Sequence, residues 1–128
     1  MDSAKKESYG KELILDLSKC DVLTFNRESI GNYFEELCKL IDMEAQDRHF
    51  WDDEGVDPEE CQTDPKTTGV SAVQFILTST IVLHSLTKLG TVYVNIFSCK
   101  DFDTEQACMF TVEWFRSLNF RQTTVTRH

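Results

Sequence analysis

Apolar and polar residues alternate through Glu12-Leu13-Ile14-Leu15-Asp16-Leu17, with Ile14 alone breaking the rhythm. A period of two places one side of a strand against a core, so this segment predicts a first strand. Beyond Asn26 the period lengthens, and Ile30, Tyr33, Phe34, Leu37, Leu40 and Ile41 recur at helical spacing. That pattern predicts a helix of about five turns with one apolar face, capped by Asn26 and carrying Glu28 in the turn where the helix dipole favours an acid. Between Glu44 and Asp64 stand nine acidic residues against the single Arg48, with Gly55 and Pro58 among them. The stretch beyond Trp51 therefore reads as an exposed loop whose charge is a solvated face. Residues 71–77 and 81–85 are β-rich runs flanking Thr78-Ser79-Thr80, and residues 91–97 alternate Val92, Val94 and Ile96 with Tyr93, Asn95 and Phe97. Asp103 or Thr104 can cap a second helix with Ala107, Phe110, Trp114, Phe115 and Leu118 on one side, and residues 121–125 read as a final edge strand.

The order is thus β, α, a run of β, α, β, with each helix apolar on one face only. This predicts an α+β fold, a two-layer sandwich in which an antiparallel sheet carries both helices packed on one face. The other face of the sheet mixes polar and aromatic residues, and a second copy of the chain can cover it. With 128 residues and no internal repeat, residues 1–128 form a single domain.

Composition narrows the partners. Apolar residues make up 41% and charged residues 27%, with five Gly and two Pro, a balance that suits a globular core rather than disorder. Thirteen basic against twenty-two acidic residues give a net charge of -9, which repels nucleic-acid phosphates and anionic membrane surfaces. The stretch from Val70 to Leu86 is broken by Gln74, Ser79, Thr80 and His84, too polar and short to span a bilayer, and residues 1–12 lack the apolar centre of a secretory signal. Five cysteines, odd in number and without a CxxC pair, fit a reducing compartment with at least one free thiol, and the chain is expected to be cytoplasmic.

Taken singly, the polar residues of the middle segment say little. A histidine such as His84 in an apolar strand is ordinarily a hydrogen-bonded structural residue, and a buried Cys99 an inert small hydrophobe. No GxSxG elbow surrounds Ser79, which leaves a hydrolase triad without a specific signal. His49, Cys61 and nearby acids match no zinc spacing, so no metal is expected.

Jointly they say more. Gly69-Val70-Ser71, Thr78-Ser79, His84-Ser85 and Ile96-Phe97-Ser98-Cys99 place Ser79 eight residues after Ser71, His84 five after Ser79, and Cys99 twenty after Ser79. This segment resembles the short, prokaryotic form of the S-adenosylmethionine decarboxylase family, with its GVSG turn, self-cleaving ESH sequence, IHT strand and FTCG ending. Gly10-Lys11, Cys20-Asp21 and the helix at residues 103–118 extend the likeness over most of the chain.

The resemblance implies a chain that makes its own cofactor. Ser79 attacks the carbonyl of Thr78, and cleavage leaves residues 1–78 as a β chain and residues 79–128 as an α chain beginning with a pyruvoyl group derived from Ser79. Such a ketone forms a Schiff base with the amine of a small amino-acid substrate and acts as an electron sink for decarboxylation, here a step of polyamine biosynthesis. By the same likeness His84 and Ser71 assist cleavage by proton transfer, Cys99 protonates the substrate carbon, and the protein is a homodimer. The chain departs from the pattern where Thr78 and Thr80 replace the Glu and His around the serine. Ser85-Leu86-Thr87 and Lys88 replace TWP and the ribose-binding acid, Asn95 a frequent Asp, and Lys100 a Gly. Pro65 falls where an adenine-stacking aromatic is expected, a role that Phe50 or Trp51 can take because stacking needs only a flat apolar face. An ammonium at position 88 sits badly beside a cationic sulfonium substrate. Three readings follow: a decarboxylase of S-adenosylmethionine, one of another amino acid such as arginine or ornithine, or an uncleaved, non-catalytic homologue acting as a binding or regulatory subunit.

Overall fold

The computed structural model describes residues 8–128, so the polar leader expected at residues 1–12 falls mostly outside that range. The elements are β1 (Gly10–Ser18), α1 (Arg27–Leu40), β2 (Ala45–Trp51), β3 (Gly69–Ile76), β4 (Ser79–Leu86), β5 (Thr91–Ser98), α2 (Thr104–Phe115) and β6 (Asn119–Arg127). The six strands form one sheet in the order β2-β3-β4-β5-β1-β6, every neighbouring pair antiparallel. This is the α+β sandwich that the pattern predicts.

Period-two alternation decides which residues meet the helices. Leu13, Leu15 and Leu17 of β1, Ile81 and Leu83 of β4, and Val92, Val94 and Ile96 of β5 are at most 2% exposed. Ile30, Tyr33, Phe34 and Leu37 of α1 and Ala107, Cys108 and Phe115 of α2 close over them. Each large apolar side chain buried this way contributes about 1.5–3 kcal/mol. Tyr33 is fully buried because its hydroxyl has a partner: Thr111 Oγ1, 2.7 Å away, gives its own proton to the Ala107 carbonyl and so accepts from the phenol.

Both caps are as the sequence predicts, Asn26 accepting from the Ser29 amide at 2.8 Å and Asp103 from the Gln106 amide at 3.0 Å. The first helix is shorter than expected, 14 residues or about four turns, because Ile41 closes it and Asp42 turns the chain at φ 57°. Leu118 does not belong to the apolar face of α2. The helix ends at Phe115, Arg116 adopts φ 53°, and Leu118 is 82% exposed, its amide on the Lys19 carbonyl at the start of β6.

Strand β2 was not expected, since only Arg48 and Phe50 along it turn toward the helical layer and the rest is exposed edge. It explains why Gln74 interrupts an apolar run. Gln74 is fully buried, accepts from Arg48 Nε at 2.7 Å, and donates to the carbonyls of Gln46 and Phe75, each at 2.9 Å, where β2 bulges against β3. The link between β3 and β4 is also tighter than the sequence suggests. Ile76 pairs with Ser79, so only Leu77 and Thr78 form the turn and Ser79 opens β4.

Candidate functional site

The β3-β4 turn holds Thr78 at φ 63°. A left-handed backbone costs an ordinary L-residue about 1–2 kcal/mol, and a β-branched side chain is among the least suited to it. Thr78 Oγ1 lies 2.6 Å from the Leu77 carbonyl and 3.3 Å from Cys99 Sγ at the end of β5. Hydrogen bonding from Thr78, and next from Tyr9, holds the Cys99 thiol below its ordinary range, while the same contact pushes the Tyr9 phenol up. Among the five cysteines, all free, Cys99 is the exposed one.

Ser79 is 6% exposed, and its hydroxyl donates to Ser98 Oγ at 2.8 Å on the helical side of the sheet. Ser98 Oγ also accepts the Lys100 amide at 2.9 Å, and the Lys100 ammonium reaches Asp42 Oδ2 at 3.1 Å, which ties the end of β5 to the end of α1. A cleft of about 420 Å³ opens here, lined in part by Asp42, Met43, Glu44, Leu77, Thr78 and Ser79.

Ser71 and His84 are cross-strand partners, with Ser71 Oγ 2.8 Å from His84 Nδ1. They lie on the face without helices, in a row of neighbours that crosses all six strands: Trp51, Ser71, His84, Tyr93, Asp16 and Arg121. A cavity of about 370 Å³ beside them is lined in part by His49, Trp51, Ser71, Val73, Val82 and His84. His84 stands five positions after Ser79, an odd step, so the two point to opposite faces of β4 about 16 Å apart along the strand. The residues singled out in the sequence therefore form two groups, Thr78 with Ser79 and Cys99, and Ser71 with His84. The groups do not meet within one chain.

The two aromatics also separate. Phe50 turns inward against the core beneath the Arg27 guanidinium, 5.7 Å away, whereas Trp51 is 65% exposed beside Ser71. Beyond Trp51 the acidic loop is pinned at both ends. Arg27 donates two hydrogen bonds of 2.8 Å to Asp52, holding that carboxyl below its usual range, and Lys88 Nζ donates to the Thr63 carbonyl at 2.5 Å. Lys88 thus spends its ammonium on the loop. His49 meets the edge of the Phe75 ring and Cys61 faces the Val56 and Asp57 carbonyls, and among the described residues no three His, Cys, Asp or Glu side chains cluster as metal ligands. No helix among these residues is long and apolar enough to cross a membrane.

Sequence reasoning passed over Tyr9, Ser98 and the backbone of Thr78. Gly10 was the available signal for the first, since a glycine opening an apolar strand marks a close approach of two backbones.

An antiparallel six-stranded sheet under two helices, with a serine at a hairpin turn and a cysteine beside it, defines the class of fold and site. The chain belongs to the S-adenosylmethionine decarboxylase family, whose sequence profile matches residues 11–128. The crystal structure of the adenosylmethionine decarboxylase from Aquifex aeolicus VF5 is similar with a TM-score of 0.75 and 17% identity, over 94% of this chain and 91% of that one. At that identity the likeness establishes the fold. No curated protein sequence matches the chain significantly.

Proposed function

We propose that this chain is a pyruvoyl-dependent decarboxylase that cleaves itself between Thr78 and Ser79 and acts on a small cationic amino acid in a cytoplasmic step of polyamine synthesis. The observation that carries the reading is the β3-β4 turn, where a β-branched residue at positive φ directly precedes a serine and touches an exposed cysteine. Rotation about the Cα–Cβ bond of Ser79 takes its hydroxyl from Ser98 to the Thr78 carbonyl carbon. There the new C–O bond replaces the C–N bond, and the proton passes from oxygen to nitrogen. Loss of the α-proton of residue 79 then expels the Thr78 carboxylate, and water releases ammonia to leave a ketone. The residues present fit such a group, with a serine at the required place and a cleft over it. The pyruvoyl carbonyl would supply the electron sink for loss of carbon dioxide.

Ser71 and His84 can serve this chemistry only from a second copy, because their own chain keeps them on the far face. The helix-free face favours such a homodimer, with Trp51, Phe75, Tyr93 and Val125 between 38% and 65% exposed on it. Glu44 at the cleft, where Lys100 already pairs with Asp42, together with the net charge of -9, favours a cationic substrate. Lys88, bound to Thr63, leaves the position expected of a ribose-binding acid without a carboxylate, which favours arginine or ornithine over the nucleoside substrate. A second reading, an uncleaved binding or regulatory subunit, is favoured by the hydrogen bond that holds the Ser79 hydroxyl on Ser98. Release of labelled carbon dioxide from S-adenosylmethionine, arginine and ornithine, each compared with the Ser79→Ala variant, tests the proposal. Activity on one of them that is absent from the variant supports it, and no release from any of the three favours the regulatory subunit.

A further inference from the structure

We propose that Ser98 is a positioning residue that holds the Ser79 hydroxyl in a resting orientation and so slows cleavage of the Thr78–Ser79 bond. The two serines are register partners across β4 and β5, both buried on the helical side of the sheet. Residues directly opposite in an antiparallel pair bring their side chains within reach, and here the Ser79 hydroxyl donates to Ser98 Oγ at 2.8 Å. The Lys100 amide donates to the same oxygen at 2.9 Å, so both lone pairs of Ser98 are taken. Ser98 has little room to move. Its backbone pairs with Lys11 of β1 as well as with Ser79, and a Cβ on Gly10 would lie 2.1 Å from its carbonyl oxygen, so only glycine lets β1 lie this close. On the other side the Lys100 ammonium donates to the Asp42 carbonyl and, at 3.1 Å, to Asp42 Oδ2, which anchors the residue whose amide grips Ser98. A neutral hydroxyl is too weak a base to take the Ser79 proton during attack. The Ser79–Ser98 bond therefore belongs to the resting chain, and the turn toward the Thr78 carbonyl breaks it. A held hydroxyl accounts for a slow precursor without making it inert.

The inference rests on the self-cleavage proposed above, and the experiment separates the two. Its first arm is a double-mutant cycle of Ser79→Ala and Ser98→Ala by urea unfolding of the full chain, carried out in a His84→Ala background so that every protein stays whole. The two substitutions should be coupled by about fivefold in the unfolding equilibrium constant, the worth of one neutral hydrogen bond. Additive effects would overturn the assignment, whatever the chain does on incubation. The second arm follows the intact mass of wild type, Ser98→Ala and Ser98→Thr over time. Removing a bond made only in the resting state lowers the barrier, so Ser98→Ala should cleave about two- to tenfold faster than wild type. Ser98→Thr keeps the hydroxyl and should cleave at the wild-type rate, a rescue that a merely structural role would not require. Where wild type cleaves, an equal or slower rate in Ser98→Ala would overturn the proposal, the slower rate making Ser98 a helper in the reaction. Where wild type stays whole, cleavage of Ser98→Ala alone would support it. If neither chain cleaves, the proposed function fails and takes the rate effect with it, while the cycle still decides whether Ser98 holds Ser79.

Discussion

Replacing Thr78 with Asn separates the backbone of the β3-β4 turn from its chemistry. Thr78 is held at φ 63°, where an L-residue loses about 1–2 kcal/mol and Asn loses much less. Asn also avoids the extra chain entropy that a Gly substitution would release in the unfolded state. In a Ser79→Ala background, which keeps the chain whole, Thr78→Asn should raise the unfolding free energy in urea by about 1 kcal/mol. In the cleavable chain the same relief works the other way. If the strain is discharged as the amide becomes an ester, a precursor stabilised by about 1 kcal/mol cleaves roughly fivefold more slowly. Thr78→Val retains the β-branch and loses only the hydroxyl, so it should keep the strain and gain no stability. The assays are urea unfolding and the time course of fragment appearance on denaturing gels. A Thr78→Asn protein that is no more stable and cleaves at the wild-type rate would refute the idea that the turn stores strain for the reaction.

Other outcomes follow from the same geometry. Gln74→Leu leaves the Arg48 guanidinium and the carbonyls of Gln46 and Phe75 without their partner, and should cost about 2–4 kcal/mol in urea unfolding. Asp52 has its pKa lowered by Arg27, so the clamp stabilises the fold above the unfolded carboxyl value of about 3.9 and is lost as pH falls through the lower folded value. The urea midpoints of wild type and Asp52→Asn should therefore converge as the pH drops below about 4. Cys99→Ala should still cleave but lose productive turnover, measured as carbon dioxide release. Ser79→Ala and His84→Ala should each be uncleaved alone. Co-expressed, the Ser79→Ala chain lends its His84 across the dimer and the His84→Ala chain should cleave; no cleavage on mixing would place the proton-transfer groups elsewhere.

The two-layer architecture was legible because Leu13, Leu15, Val92, Val94 and Ile96 obey a period of two, and Ile30, Tyr33, Phe34 and Leu37 one near 3.6. Strand β2 was not, because an edge strand whose inward residues are Arg48 and Phe50 shows little apolar alternation. The candidate site was half legible. Spacing in the chain picks out Ser71, Ser79, His84 and Cys99 together, but parity along β4 puts Ser79 and His84 on opposite faces, a consequence that motif spacing alone leaves hidden. Tyr9 escaped notice because its place beside Cys99 comes from the packing of β1 on β5 rather than from any local pattern. Leu118 misled for a related reason: its helical spacing continues past Arg116, whose left-handed backbone ends the helix.

The central claim is that the Thr78–Ser79 bond breaks by its own chemistry, and the intact mass of the purified wild-type chain after prolonged incubation tests it most directly. The account predicts two species, residues 1–78 and residues 79–128, the second refractory to amino-terminal sequencing and lighter than the unmodified peptide because a ketone replaces its first amine and the serine side chain, having lost its oxygen, remains as a methyl group. A single full-length species, unchanged with time and identical in behaviour to Ser79→Ala, would contradict it.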